Sequence, residues 1–212
     1  MKHGKETKEF DFVNYLEKIR FTINNLRKKP SCKDNFLSFG FPCAVMELLG
    51  ECLIYSKEKK KKDIIKRTTK PRFEAFLKKF LDNYFKYELL LREDLRHGAA
   101  HFGFPKGVIV PSYDRRAQKS HLKFIKDPYT NTKHLIIYSP QFLKDLNSAL
   151  ETFISYIKNG EISEKHCIEV MKKIMQDGQK VIKKTRSLKE EIENASKERL
   201  YRDTYPHLRL RR

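Results

Sequence analysis

In the segment Leu95-Arg96-His97-Gly98-Ala99-Ala100-His101-Phe102-Gly103 an arginine stands five positions before a histidine. The guanidinium fork suits a phosphate, and an imidazole moves protons near neutral pH. Together they point to chemistry on RNA. Spacing alone is a weak guide, because roughly one or two Arg-x(4 to 6)-His matches are expected by chance in a chain so rich in arginine. Arg92 with His97, Arg96 with His101, Arg115 and Arg116 with His121, and Arg202 with His207 all fit. The surroundings have to choose among them.

Charge narrows the class of partner. The 212 residues carry 46 Lys and Arg against 27 Asp and Glu, a net charge of +19 spread along most of the chain. Such a field attracts polyanions without selecting a sequence, so RNA, DNA and an anionic membrane surface all fit it. No apolar run approaches the roughly 20 residues of a spanning helix, and Met1-Lys2-His3-Gly4-Lys5-Glu6 lacks the apolar centre of a signal peptide. A cytoplasmic protein with no membrane partner is the expectation. Cys32, Cys43, Cys52 and Cys167 show no Cys-x-x-Cys pair and no zinc-like spacing, so reduced thiols, no metal and no cofactor are expected.

The positioning elements are mainly helical. Asp11 is placed to cap a first helix whose stripe is Phe12, Leu16, Ile19, Ile23 and Leu26, ending before Pro30. A second helix over 44–55 is apolar on several sides, as at the centre of a core. The following Lys59-Lys60-Lys61-Lys62 reads first as a solvated loop. Pro71 opens a third helix, with Phe73, Phe76, Leu77, Phe80, Leu81, Tyr84, Leu91 and Leu95 on its stripe, and it delivers Arg96 to its own end, where Gly98 can break the geometry.

Between 107 and 138 the period changes. Val108-Ile109-Val110, Leu122-Lys123-Phe124-Ile125 and Leu135-Ile136-Ile137-Tyr138 read as short strands, with turn chemistry in Asp127-Pro128-Tyr129-Thr130-Asn131. Ser139 and Pro140 then start a capped helix that ends at Asn159-Gly160. The fold expected is mainly α, a helical bundle with a small β insertion at about 107–138. Residues 1–160 form its domain, and 161–212 a charged helical extension with a basic tail.

Helices of this number and length, with Arg96-His97-Gly98-Ala99-Ala100-His101 at the end of a long one, resemble the HEPN superfamily of helical ribonucleases. The flanking Tyr87-to-Leu95 stretch and Phe104-Pro105-Lys106-Gly107 add to the likeness, which covers roughly residues 10 to 160. The resemblance implies metal-independent RNA cleavage by a homodimer, with Arg96 and His101 catalytic. A base must take the 2'-hydroxyl proton while an acid protonates the leaving 5'-oxygen, and two copies of His101 supply both. Arg96 would stabilise charge on the phosphorane. Five residues of ideal helix rotate by roughly 140 degrees, so either the helix breaks at Gly98 or each residue meets its partner from a second chain.

His97, Arg92 and Lys106 are candidate substrate contacts. His97 binds substrate, orients His101 or is simply exposed; Arg92 extends the phosphate site or forms a surface ion pair. Gly103 stands where some toxin members of the family carry a modified tyrosine, which argues against that form of control. The functional expectation is an RNA endonuclease, a toxin or antiviral effector restrained by an antitoxin or regulatory protein. The alternatives are a catalytically silent HEPN-like module that binds nucleic acid or protein, and a basic ribosome-associated structural protein.

Overall fold

The structure is a computed structural model that describes residues 10–28, 39–57, 69–98, 107–176 and 179–180. The chain divides into two compact units, Met1–Val170 and Met171–Arg212. The second is described only over 171–176 and 179–180, which are helical. The first unit is mainly helical with a three-stranded sheet.

Helix α1 (Phe12–Lys28) buries the five residues of its stripe, Phe12, Leu16, Ile19, Ile23 and Leu26. Asp11 caps it, its Oδ1 accepting the Asn14 backbone N–H at 2.8 Å. Helix α2 (Phe41–Lys57) buries residues all round, among them Cys43, Val45, Met46, Leu49, Cys52 and Leu53. Its Gly50 allows close approach to α3 (Thr69–Phe80): a Cβ there would lie 1.8 Å from the Arg72 carbonyl oxygen. Helix α6 (Ser139–Lys158) packs against α1 and buries Phe142, Leu143, Leu146, Leu150, Phe153, Ile154 and Ile157. Gly160, at φ +76, ends it in the left-handed turn that glycine adopts without strain.

Two details differ from the expectation. Ser139 is the first helical residue and not the cap; Tyr138 holds the cap position with no side-chain bond, and the Ser139 hydroxyl is buried with no partner among the described residues. The long third helix is interrupted. After α3 the chain bends at Leu81 (φ −137, ψ 51), makes the short α4 (Asp82–Phe85), bends again at Tyr87, and resumes as α5 (Glu88–Leu90). Asp82 and Asn83 favour caps over helix interiors, and Tyr84 beside the break bonds His121 and Asp145. From Leu91 to Arg96 the helix widens into a π-helical turn. Such turns are rare and concentrate at functional sites.

Strands β1 (Ile109–Ser112), β2 (Lys123–Lys126) and β3 (Lys133–Tyr138) form the sheet in the order β1-β3-β2, close to where the β-branched runs predict them. β3 pairs with β1 in parallel and with β2 in antiparallel fashion. A short 3₁₀ helix, Arg115–Ser120, joins β1 to β2. The β2–β3 turn is set by Asp127, whose Oδ1 accepts the Tyr129 N–H at 2.8 Å, and by Asn131 at φ 60. Among the described residues no helix is long and apolar enough to cross a membrane.

Candidate functional site

The π-helical turn ends on Arg96, and α2 supplies what holds it. Arg96 Nε and Nη2 both donate to the Glu47 carboxylate, the second at 3.2 Å. A two-point contact fixes the plane of a guanidinium as a single bond does not. Glu47 is largely buried, and about a quarter of the Arg96 side chain remains open to solvent. Cys43, one helical turn before Glu47, shares this surrounding: burial pushes its thiol well above the ordinary range, Glu47 adds to the rise and Arg96 opposes it. That thiol is an inert filler and not a nucleophile.

One turn earlier, Arg92 donates to Glu88 at 2.8 Å and to Glu93. Burial pulls its guanidinium down, but the Glu88 and Glu93 carboxylates outweigh that and hold it above its ordinary value. Arg92 is thus ion-paired with Glu88 and Glu93. His97 caps the turn, its backbone N–H reaching the carbonyls of Arg92 and Asp94. Buried Asp94 faces the other way and accepts the Ile109 backbone N–H at 2.5 Å, tying the helix end to β1. The structure thus brings Arg92, Arg96 and His97 together at one helix end. His101 and Lys106 lie outside the described residues, as do Arg202 and His207.

Sequence reasoning passed over a second cluster. Tyr84 donates to Asp145 Oδ2 at 2.7 Å, and its oxygen lies 2.9 Å from His121 Nε2. The Tyr138 backbone N–H donates to His121 Nδ1 at 3.0 Å, which leaves the ring proton on Nε2, and Gln141 holds the other Asp145 oxygen at 2.6 Å. Burial lowers the His121 pKa, with Asp145 opposing, while burial and Asp145 raise Tyr84 well above the phenol range. The relay fastens the 3₁₀ turn to α4 and α6. It forms the floor of an open cleft of about 1110 Å³, with Lys86 and Lys123 also lining it. Tyr87 adds a second fastening, donating to the Leu122 carbonyl at 2.6 Å and holding Leu122 at its unusual φ of 57.

The pairs Arg96–Glu47 and Tyr84–Asp145 join residues 49 and 61 positions apart, so no local pattern exposes them. The available signal was two carboxylates, Glu47 and Glu51, one turn apart in a largely apolar helix. Among the described residues no three His, Cys, Asp or Glu side chains gather as a metal ion would require. Compared with known protein families, with characterised proteins and with solved structures, the chain gives no match.

Proposed function

We propose that the protein is a metal-independent RNA endonuclease of HEPN type, acting as a homodimer in which Arg96 and His101 of each chain meet those of the other. The observation that supports this reading is Arg96 itself: an arginine at the end of a π-helical turn, aimed by two bonds from Glu47, five residues before a histidine in a chain of net charge +19. His101 of one chain removes the 2'-hydroxyl proton and the resulting oxygen attacks the adjacent phosphorus. The bond to the 5'-oxygen breaks, and the second His101 protonates that oxygen, leaving a 2',3'-cyclic phosphate. Arg96 binds the non-bridging oxygens as their charge grows. In this reading the protein is a toxin or defence effector whose activity a partner restrains.

Purified protein should cleave RNA in EDTA and leave 2',3'-cyclic phosphate or 3'-phosphate ends. Wild-type cleavage by Arg96→Ala/His101→Ala would remove the assignment. A second reading, a silent HEPN-like module that binds nucleic acid or protein, is favoured by one observation: carboxylates already occupy both guanidiniums of the helix end. RNA binding without cleavage of any substrate would select it.

A further inference from the structure

In the β2–β3 hairpin like charges face each other across the strands. Its register sets Lys126 directly opposite Lys133, and Phe124 opposite Leu135 one pair further along the same face. Like charges on facing strand positions oppose pairing. Neither lysine has a carboxylate partner among the described residues, and both are exposed. The nearest acid in sequence, Asp127, does not relieve them: its carboxylate is turned into the loop by the backbone N–H groups of Tyr129 and Thr130. Tyr129, at the tip between the two lysines, is 97% exposed, and Phe124 is 50% exposed on an edge strand whose four residues all face solvent. From 107 to 138 the chain carries six Lys and Arg against two Asp.

We propose that this hairpin is a binding site for single-stranded RNA, with the ammonium groups of Lys126 and Lys133 gripping one backbone phosphate and Tyr129 and Phe124 stacking on the bases beside it. A phosphate between the two lysines removes the repulsion that the empty hairpin carries. Unstacked bases present the flat faces that exposed aromatic rings take up, which duplex bases do not. Lys123, on the opposite face of β2, extends the positive edge toward the cleft that also holds Lys86. A second copy of the chain fits the edge poorly, since pairing β2 with itself would gather still more lysines at one seam. The proposal rests on RNA as the substrate class, but its site is separate from the helix end that carries Arg96.

The test uses a fluorescent 2'-O-methyl oligouridine, which lacks the attacking hydroxyl and so reports binding whether or not the protein cuts. Fluorescence anisotropy with Lys126→Gln/Lys133→Gln should show affinity lower by about tenfold or more. The log–log salt dependence should become shallower by about 0.7, since one phosphate fewer is neutralised on binding. Tyr129→Ala should weaken binding by about tenfold. Lys144→Gln/Lys158→Gln, an equal loss of charge on exposed positions of α6, should change it far less. Wild-type affinity in the hairpin variants, with circular dichroism showing them folded, would overturn the proposal. Tighter binding to a duplex than to the single strand, or a change of sedimentation in Lys126→Gln/Lys133→Gln with RNA affinity intact, would also overturn it. Loss of cleavage in Arg96→Ala with hairpin-dependent binding retained leaves the proposal standing, so its failure and that of the catalytic reading are told apart.

Discussion

At the end of the π-helical turn, positive charge is neutralised within the fold: Arg96 lies against Glu47, and Arg92 between Glu88 and Glu93. On the β2–β3 hairpin, positive charge is left standing, with Lys126 facing Lys133 and their neighbouring carboxylate bonded elsewhere. Both regions carry two closely placed basic side chains, and their physical consequences diverge. A guanidinium held on a partly buried carboxylate is oriented, and it serves a step whose geometry matters. Unpaired ammonium groups on exposed strands are point charges on flexible stems, and they serve attraction to a polyanion. On the proposed reading the helix end serves chemistry and the hairpin substrate capture.

The largest effect separates those two roles. Arg96→Ala or His101→Ala should lower the cleavage rate by about 100-fold or more while leaving affinity for the uncleavable oligonucleotide near wild type. The hairpin variants should do the reverse at saturating RNA, retaining turnover and raising the RNA concentration needed to reach it. Equal loss of binding in all of them would mean that one surface does both jobs.

Removing the carboxylate sharpens the comparison from the other side. Glu47→Ala should cost about 1.5–3 kcal/mol in urea or thermal unfolding, because a largely buried charged hydrogen bond is removed. It also frees the Arg96 guanidinium. If Arg96 needs its orientation, cleavage falls although the charge is gained by the site; if the helix end is a silent binding surface, RNA affinity rises and nothing is cut. Asp94→Ala should cost a comparable 1–3 kcal/mol by leaving the Ile109 N–H without its acceptor, an effect on the joint between helix and sheet.

Much of this arrangement was readable from residue order, for reasons the residues make plain. The five-residue stripe of α1, its Asp11 cap, the Asn159-Gly160 stop and the three strands follow from periodicity and turn chemistry, which act between neighbours. The interruptions at Leu81 and Tyr87 were hidden because Leu77, Leu81, Tyr84 and Leu91 are all buried, so the apolar stripe continues across both breaks. The widening from Leu91 to Arg96 left no mark in the pattern. Arg96 and Arg92 were legible as candidates, but their carboxylate partners differ in kind. Glu88 and Glu93 are neighbours, whereas Glu47 is brought up by the packing of another helix. The match of Arg115 and Arg116 to His121 falls in a loop-to-strand stretch that shows no partner for the ring; its partners Tyr84 and Asp145 come from two other elements.

The His121 relay should make the joint between the 3₁₀ turn and α4 sensitive to pH. Its folded pKa is lowered by burial, with Asp145 opposing, so the unfolded chain binds the proton more readily than the folded one does. Stability from this group is complete above the unfolded value of about 6.5 and declines progressively as pH falls below it toward the lowered folded value. Protonation also sets an N–H at Nδ1 against the Tyr138 N–H that it normally accepts. Thermal unfolding followed from pH 7.5 to 5 should show this decline, and His121→Phe should flatten that part of it while lowering stability at pH 7.5. An unchanged pH profile in the variant would show that the relay does not control the joint.

The smallest effect is the most diagnostic for the hairpin, because its sign is opposite to that of an ordinary surface truncation. If Lys126 and Lys133 face each other only to receive a phosphate, Lys126→Gln/Lys133→Gln removes a repulsion in the RNA-free protein and should stabilise it by about 0.2–1 kcal/mol. For a domain of this size that is a rise of roughly 0.5–4 °C in Tm, followed by differential scanning calorimetry at low ionic strength. Added salt screens the two exposed ammonium groups, so the difference between variant and wild type should shrink as ionic strength rises. RNA should invert the order, raising the Tm of the wild type more than that of the variant, since the wild type binds the ligand more tightly. A variant that is less stable at every salt concentration would mean that the lysine stems pack usefully on the strands. The like-charge pair would then be a structural feature, and the contrast between an oriented helix end and an uncompensated hairpin would lose its second half.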